Sequence, residues 1–332
     1  NINNYERTYR QTGIDDSFLR FANTKENLSD YELKVSLESE KISLISGFEL
    51  SEPSFKNDRA QGETYNRKTR SVFIQNNYKY SDSQKIITGI RYDRYGSELV
   101  YSPRVAYLFE YSENTRFRFS TGTGFRIPSF LELHIDFYNV DNGYVVKGNR
   151  FLKPEKSVGS TVNVEYITEK VRMNALAYQN RFRDKIFSTY KDTSSAIVFY
   201  EYKNIAKSKF QGLELFLDYL ASSFTSFKLN VNLRSAVDGE GDPIDNVIPY
   251  SVGTRFTRNL PGISLKFYFN STLNYIDSDN RFFIHNFKMR KNLLKSLSIN
   301  GGIENLGNVT DIRNGPFIGR SIFLELVKKI GT

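Results

Sequence analysis

The sequence predicts an all-β protein, an antiparallel β-barrel that crosses a membrane with its strands. Three observations carry that expectation. Apolar and polar residues alternate in segment after segment; short and longer links follow one another; and no apolar run reaches the roughly 18 residues that mark a transmembrane helix. A mean hydropathy of −0.48 is consistent with this, because a barrel strand turns only every second residue to lipid. Phe 27 and Tyr 22 bring the aromatic share to 15%, a composition suited to strands and interfacial girdles.

Taken in order, residues 1–30 are polar with little periodicity and are expected to be loop; residues 31–330 are expected to be barrel. The alternating segments are 31–38, 41–50, 70–80, 84–95, 101–111, 115–124, 157–167, 171–182, 208–220, 224–237, 249–258, 263–275, 281–290, 295–304 and 318–330. In SLKFYFNSTLNY, Leu265, Phe267, Phe269, Leu273 and Tyr275 oppose Lys266, Tyr268, Asn270, Thr272 and Asn274. Short polar turns are read at 39–40, 81–83, 112–114, 168–170, 221–223, 259–262 and 291–294. Between them fall mostly longer links at 51–69, 96–100, 125–156, 183–207, 238–248, 276–280 and 305–317. Outer-membrane barrels have this form, with short periplasmic turns and longer extracellular loops. A β-sandwich would not keep one end tight and the other elaborate. Fifteen strands is an odd count where bacterial single-chain barrels are even, so further strands are expected upstream.

The stretch 119–166 organises the rest. It leaves one alternating strand, runs through about thirty residues rich in aromatics, and returns in another. Links of that length are functional or disordered, and the aromatics favour function. The net charge of +9 is spread along strands and turns without a basic helix or arm, so no nucleic-acid partner is expected; outer-membrane lipid is the partner that the pattern implies.

Four motifs resemble those of TonB-dependent outer-membrane receptors. GTGFRIPSFLEL (122–133) is similar to a "GFRAPS…EL" signature, and GNRFLKPEKS (148–157) to a "GNPxLKPE" box. YKNIAKSKFQGLELFLDY (202–219) resembles an "xxN…GxExxL" segment through Asn204, Gly212, Leu213 and Glu214. ENLGNVTDIRNGPFIGRSIFLEL (304–326) resembles the family's last loop and strand. The resemblance implies a 22-stranded barrel in the bacterial outer membrane, of which this chain supplies about strands 8–22, with the plug and first strands absent. Residues 1–30 would then belong to the fourth extracellular loop and 125–156 to the seventh. It also implies active uptake of a scarce solute (a ferric siderophore, haem or cobalamin-like corrinoid) driven by the inner-membrane TonB energy-coupling complex acting through the plug. A passive or structural barrel subunit, held in a complex with a surface lipoprotein or another subunit, is the alternative.

Candidate ligand-binding residues lie in the long link. His134 falls between the two boxes, where the resemblance implies a haem-ligating histidine in haem receptors; the plainer reading is a rim side chain bonding locally. Phe137, Tyr138, Tyr144 and Phe151 supply aromatic contact area. Arg126 has the charge to neutralise an anionic ferric chelate, although its position in the resemblance implies a bond between strand and loop. No catalytic residues, resident metal or cofactor are expected; haem or a ferric chelate enters only as transported ligand. TGTGFR opens no helix after a βα unit, so it is not read as a phosphate loop, and neither histidine sits in a hydrolase motif. VDGEGDPIDN (237–246) has calcium-loop spacing but lacks the terminal glutamate.

Overall fold

The computed structural model describes residues 2–12, 18–139, 143–191, 197–244, 247–275, 281–294, 296–310 and 318–329. Among the described residues, nineteen strands share one hydrogen-bonded sheet. They are β1 (Ile2–Thr12), β2 (Phe18–Glu38), β3 (Ile42–Asn57), β4 (Thr64–Asn66), β5 (Thr69–Ser81), β6 (Gln84–Tyr95) and β7 (Glu98–Glu110). Next come β8 (Thr115–Arg126), β9 (Asp136–Asn139), β10 (Tyr144–Lys147), β11 (Glu155–Ile167), β12 (Val171–Lys191) and β13 (Val198–Ser222). β14 (Thr225–Asp238), β15 (Tyr250–Leu260), β16 (Leu265–Tyr275), β17 (Arg281–Leu294), β18 (Leu297–Glu304) and β19 (Ser321–Lys328) complete the set. Consecutive long strands pair antiparallel, as in β2–β3, β5–β6 and β14 through β19.

Three expectations are corrected. Residues 2–12 and 18–30 are not loop: β1 pairs with the first part of β2 from Ile2↔Ser29 to Gln11↔Arg20. Cross-strand hydrogen bonding holds this hairpin without the apolar alternation that sequence reading depends on. The 96–100 link is not long; β6 and β7 are joined by Gly96 and Ser97 alone, with Gly96 at φ 55° giving the positive dihedral a two-residue turn requires. The 51–69 and 183–207 links are largely strand: β3 runs on to Asn57 and folds back through a 3₁₀ turn at Asp58–Ala60 into β4, and β12 and β13 extend beyond their expected ends.

The chain divides into two compact units. The first comprises Asn1–Tyr107, Ser120–Ser160 and Asn180–Ser208; the second comprises Leu108–Phe119, Thr161–Gln179 and Lys209–Thr332. In the first, register places Leu33, Phe48, Val72 and Tyr92 on one face, with Val35, Ile74 and Ile90 in the adjoining row. Leu33, Val35, Val72 and Ile74 are all exposed, as side chains facing lipid should be. The opposite face is polar. There Arg91 bonds Asp93 (2.9 Å), Ser71 (2.8 Å) and Glu49 (2.8 Å), so its charge is matched where Asp93 is buried.

The second unit repeats this division. Phe256, Phe269 and Phe287 lie side by side across β15–β17, and Ile322, Leu324 and Leu326 on β19 continue the exposed apolar face. Its other face carries Lys228–Asp218 and Lys288–Glu304 pairs, each at 2.6 Å. After β18, Asn305 takes a left-handed backbone (φ 52°) and its side-chain amide donates to the carbonyls of Val309 (2.6 Å) and Ile318 (3.2 Å), tying the ENLGN segment back on itself.

Candidate functional site

All six sequence-nominated residues lie in the first unit, Arg126 at the end of β8 and the others in the excursion between β8 and β11. This segment is ordered by local chemistry. Pro128 cannot donate to a strand ladder, and Ser129 then caps a short helix, α1 (Phe130–His134). Ser129 Oγ accepts from Glu132 N (3.2 Å) while Glu132 Oε2 accepts from Ser129 N (2.7 Å), the reciprocal capping box that S-x-x-E encodes. Arg126, at the end of β8, holds two carboxylates at once. Its Nη1 and Nη2 donate to Glu132 (2.8 and 2.9 Å), and its Nε and Nη2 to Glu155 (3.0 and 2.9 Å). Glu155 also accepts from Ile186 N at 2.7 Å, so the fork ties β8, α1, β11 and β12 together. Burial pushes the Glu132 carboxyl up, but the Arg126 and Ser129 hydrogen bonds outweigh it and hold it below its ordinary range. From the other side Arg67 donates to Pro128 O (2.7 Å) and lies 4.7 Å over the Phe130 ring.

The chain then forms the β9–β10 hairpin, and β10 pairs in parallel with the start of β13, from Tyr144↔Val198 to Lys147↔Glu201. Alternation separates the aromatic candidates. Phe137 is buried under Arg59, whose guanidinium carbon sits 4.3 Å from the ring; Tyr144 lies on the same hairpin face and contacts Tyr200. Tyr138 is exposed on the other face with Asp136 and Lys147. Lys147 Nζ donates to Asp136 Oδ1 (2.5 Å) and to the Tyr138 hydroxyl. The bond to Asp136 raises the Lys147 ammonium above its usual value and lowers the Asp136 carboxyl.

His134 stacks on Tyr65, with ring centroids 3.8 Å apart and planes 12° from parallel. Its Nδ1 is enclosed and has no hydrogen-bond partner among the described residues. Burial, helped by the Arg150 charge and opposed by Glu63, pulls the imidazole below its ordinary pKa. Protonation is therefore easier in the unfolded segment, and local stability is greatest above the unfolded pKa of about 6.5, falling as the pH drops through the folded value. Amide exchange across 130–139, corrected for intrinsic rates, is expected to speed up on acidification from pH 7.5 to 5.5. His134→Phe, which keeps the stack without the proton, should remove that dependence. An equal pH response in both proteins would count against the assignment.

The GNRFLKPE box is pinned through its backbone. Gly148 packs so closely on α1 that a Cβ there would lie 2.7 Å from Leu133 C and His134 N, which excludes any larger residue. Asn149 donates to Tyr202 O (3.0 Å). Asn204 accepts from Lys153 N (2.8 Å) and donates to Lys153 O (3.0 Å) and Asp184 O (2.6 Å). Leu152 and Pro154 are buried, which forces Phe151 outward: it is 92% exposed, with Arg150 and Lys153 exposed beside it.

The structure thus brings Tyr138 to the surface, buries Phe137, places Tyr144 against Tyr200, stacks His134 on Tyr65, and spends the Arg126 fork on Glu132 and Glu155. Arg150, Lys153 and Tyr65 were not nominated as site residues. The cations flanking a bulky aromatic are a readable signal for the first two; Tyr65 lies too far along the chain to be found by spacing. In VDGEGD, Asp238 Oδ1 accepts from the amides of Glu240, Gly241 and Asp242 at 2.9–3.0 Å, an ordinary turn. Asp245 lies outside the described residues, among which no three His, Cys, Asp or Glu side chains gather to hold a metal.

Comparison with known proteins gives the context. A family model described as "TonB dependent receptor-like, beta-barrel" matches residues 2–306. The iron-regulated outer membrane virulence protein of Vibrio cholerae is 30% identical over 118 residues, 34% of this chain and 18% of that protein. The ferrienterobactin receptor of Escherichia coli is 21% identical over 201 residues, 55% and 27% of the two chains. Among solved structures, the siderophore receptor PirA of Pseudomonas aeruginosa aligns at TM-score 0.74 with 16% identity, covering 98% of this chain and 63% of the other. The copper transporter OprC aligns at 0.81 with 12% identity, covering 98% and 61%. The aligned parts thus take in less than two thirds of those proteins. Strand pattern, register and family model converge: the chain belongs to the TonB-dependent receptor-like β-barrel family and forms part of a bacterial outer-membrane barrel.

Proposed function

We propose that this chain is the C-terminal barrel portion of a receptor that takes up an iron chelate of the ferric-siderophore class, bound at the outer face and passed inward through a plug remodelled by TonB. The observation that carries the reading is the exposed Phe151 between Arg150 and Lys153, on an excursion immobilised by the Arg126 fork and the Asn149 and Asn204 bonds. An exposed aromatic ring offers stacking area to an unsaturated ligand, and the flanking cations attract a negatively charged chelate. Tyr138 and Lys147 on the hairpin provide further polar tips. The siderophore receptors among the relatives support this ligand class over haem or a corrinoid, and the ferrienterobactin named for the Escherichia coli receptor is the first probe.

The test is radioiron uptake by cells that carry the full-length protein as their sole receptor. They are offered a panel of ferric siderophores including ferric enterobactin, with haem and cobalamin as comparators. Uptake of a ferric siderophore, its loss on collapse of energy coupling, and its loss on excision of residues 136–147 from a barrel that stays heat-modifiable on gels are expected. Uptake unchanged by the excision would move the binding site elsewhere, and transport of haem or cobalamin alone would overturn the ligand class.

A further inference from the structure

The lipid-facing side of the first unit ends in an unmatched pair of arginines. Register sets Arg70 on β5 directly opposite Arg94 on β6, in the row that continues through Leu50 to Tyr31. Directly opposed residues project from the same face, here the face that carries Val72, Ile74, Ile90 and Tyr92. Both arginines are exposed and neither has an ion pair among the described residues. Nearby Lys68, by contrast, is taken by Glu52.

The row sits at a membrane boundary. Ten positions along β5 separate Arg70 from Tyr80, which is exposed beside the tight β5–β6 turn. That is roughly 33 Å along a strand, or roughly 25 Å along the membrane normal at a tilt of about 40°, the height of an outer-membrane apolar band. Tyrosines mark both limits: Tyr78 and Tyr80 at the tight-turn end, and Tyr31, Tyr92 and Tyr101 at the arginine end, Tyr92 and Tyr101 in contact at 5.2 Å. Beyond Arg94 the β6–β7 hairpin closes within two residues, so this part of the sheet stops where the arginines begin.

Two like charges directly across a strand pair repel, and at a membrane interface water screens them less than in bulk. An anion shared by both guanidiniums removes the conflict, and the planar fork suits a phosphate oxygen pair. The arginine row lies at the end of the strands that carries the β3–β4 fold-back and the long β8–β11 excursion, where Tyr95 stacks on Phe125 and Arg67 bonds Pro128 O. In outer-membrane barrels the end with the longer links faces outward, where the surrounding leaflet is a phosphorylated glycolipid. We propose that Arg70 and Arg94 form a clamp for the phosphate of an outer-leaflet glycolipid of the lipid A type, whose acyl chains lie along the Leu33–Phe48–Val72 face.

The test uses the full-length protein in phosphatidylcholine vesicles with and without bis-phosphorylated lipid A, reading the thermal unfolding midpoint. Lipid A is expected to raise the midpoint of the wild type and of Lys68→Gln, and to leave that of the Arg70→Gln/Arg94→Gln double variant unmoved. An undiminished rise in the double variant overturns the clamp, and an equal rise with phosphatidylglycerol overturns the choice of glycolipid. Should the double variant fail to fold, native mass spectrometry of lipid A retained by each single variant decides: severalfold less than wild type supports the clamp, and equal retention by both overturns it.

Discussion

Replacing Phe269 by arginine is expected to cost about 2–4 kcal/mol of folding free energy in a bilayer, the range for a cation placed mid-membrane on the lipid face of a barrel. Phe269 lies near the middle of β16, with Phe256 directly opposite on β15 and Phe287 on β17. It is exposed, so the cost does not arise from disturbing a packed core. A charged side chain there would have to reach an interface along the strand or draw water into hydrocarbon. Thr272→Arg, three residues on and pointing to the opposite, polar side, is expected to change stability far less. Reversible denaturant unfolding in lipid vesicles measures both. Equal costs for the two would mean that the faces are assigned wrongly.

The second large effect is expected at Arg126. Truncation to alanine removes four charge-assisted hydrogen bonds and leaves Glu132 and Glu155 together without their cation. A fully buried pair broken in this way costs about 3–5 kcal/mol; Arg126 is 45% exposed, and screening brings the expectation down to about 2 kcal/mol. The loss falls on the excursion. Faster amide exchange and protease cutting within 127–154 are expected, with the barrel strands still protected. Lysine at this position should restore part of the protection, since a point charge cannot hold both carboxylates as a fork does. The same latch weakens in acid. The Glu132 carboxyl is held low, so its contribution is present above an unfolded pKa of about 4.3 and is lost as the pH falls through the folded value. Wild-type protection of 127–154 in Arg126→Ala would show that the fork does not pin this segment.

Strand identity was readable where one face meets lipid. Residues 84–95 match β6 at both ends, and the expected strand 263–275 lies within two residues of β16, because hydrocarbon on one side and water on the other impose a period of two. The signal fades where both faces are wet. The β1–β2 hairpin, the far ends of β12 and β13, and short β4, β9 and β10 are held by backbone pairing, which leaves no hydropathy pattern. The candidate site divides in the same way. The capping box and the exposed aromatic between two cations are local in sequence. The His134–Tyr65 stack and the parallel β10–β13 pairing join residues 69 and 54 positions apart, and only the folded sheet brings them together.

The proposed uptake depends on chelate binding at the face around Phe151. Its most direct test is equilibrium binding of the transported ferric siderophore to the purified full-length protein and to an Arg150→Gln/Phe151→Ala/Lys153→Gln variant. A weakening of about tenfold or more, or about 1.4 kcal/mol, is expected, with the excursion as resistant to protease as in the wild type. Unchanged affinity in an intact variant would contradict it.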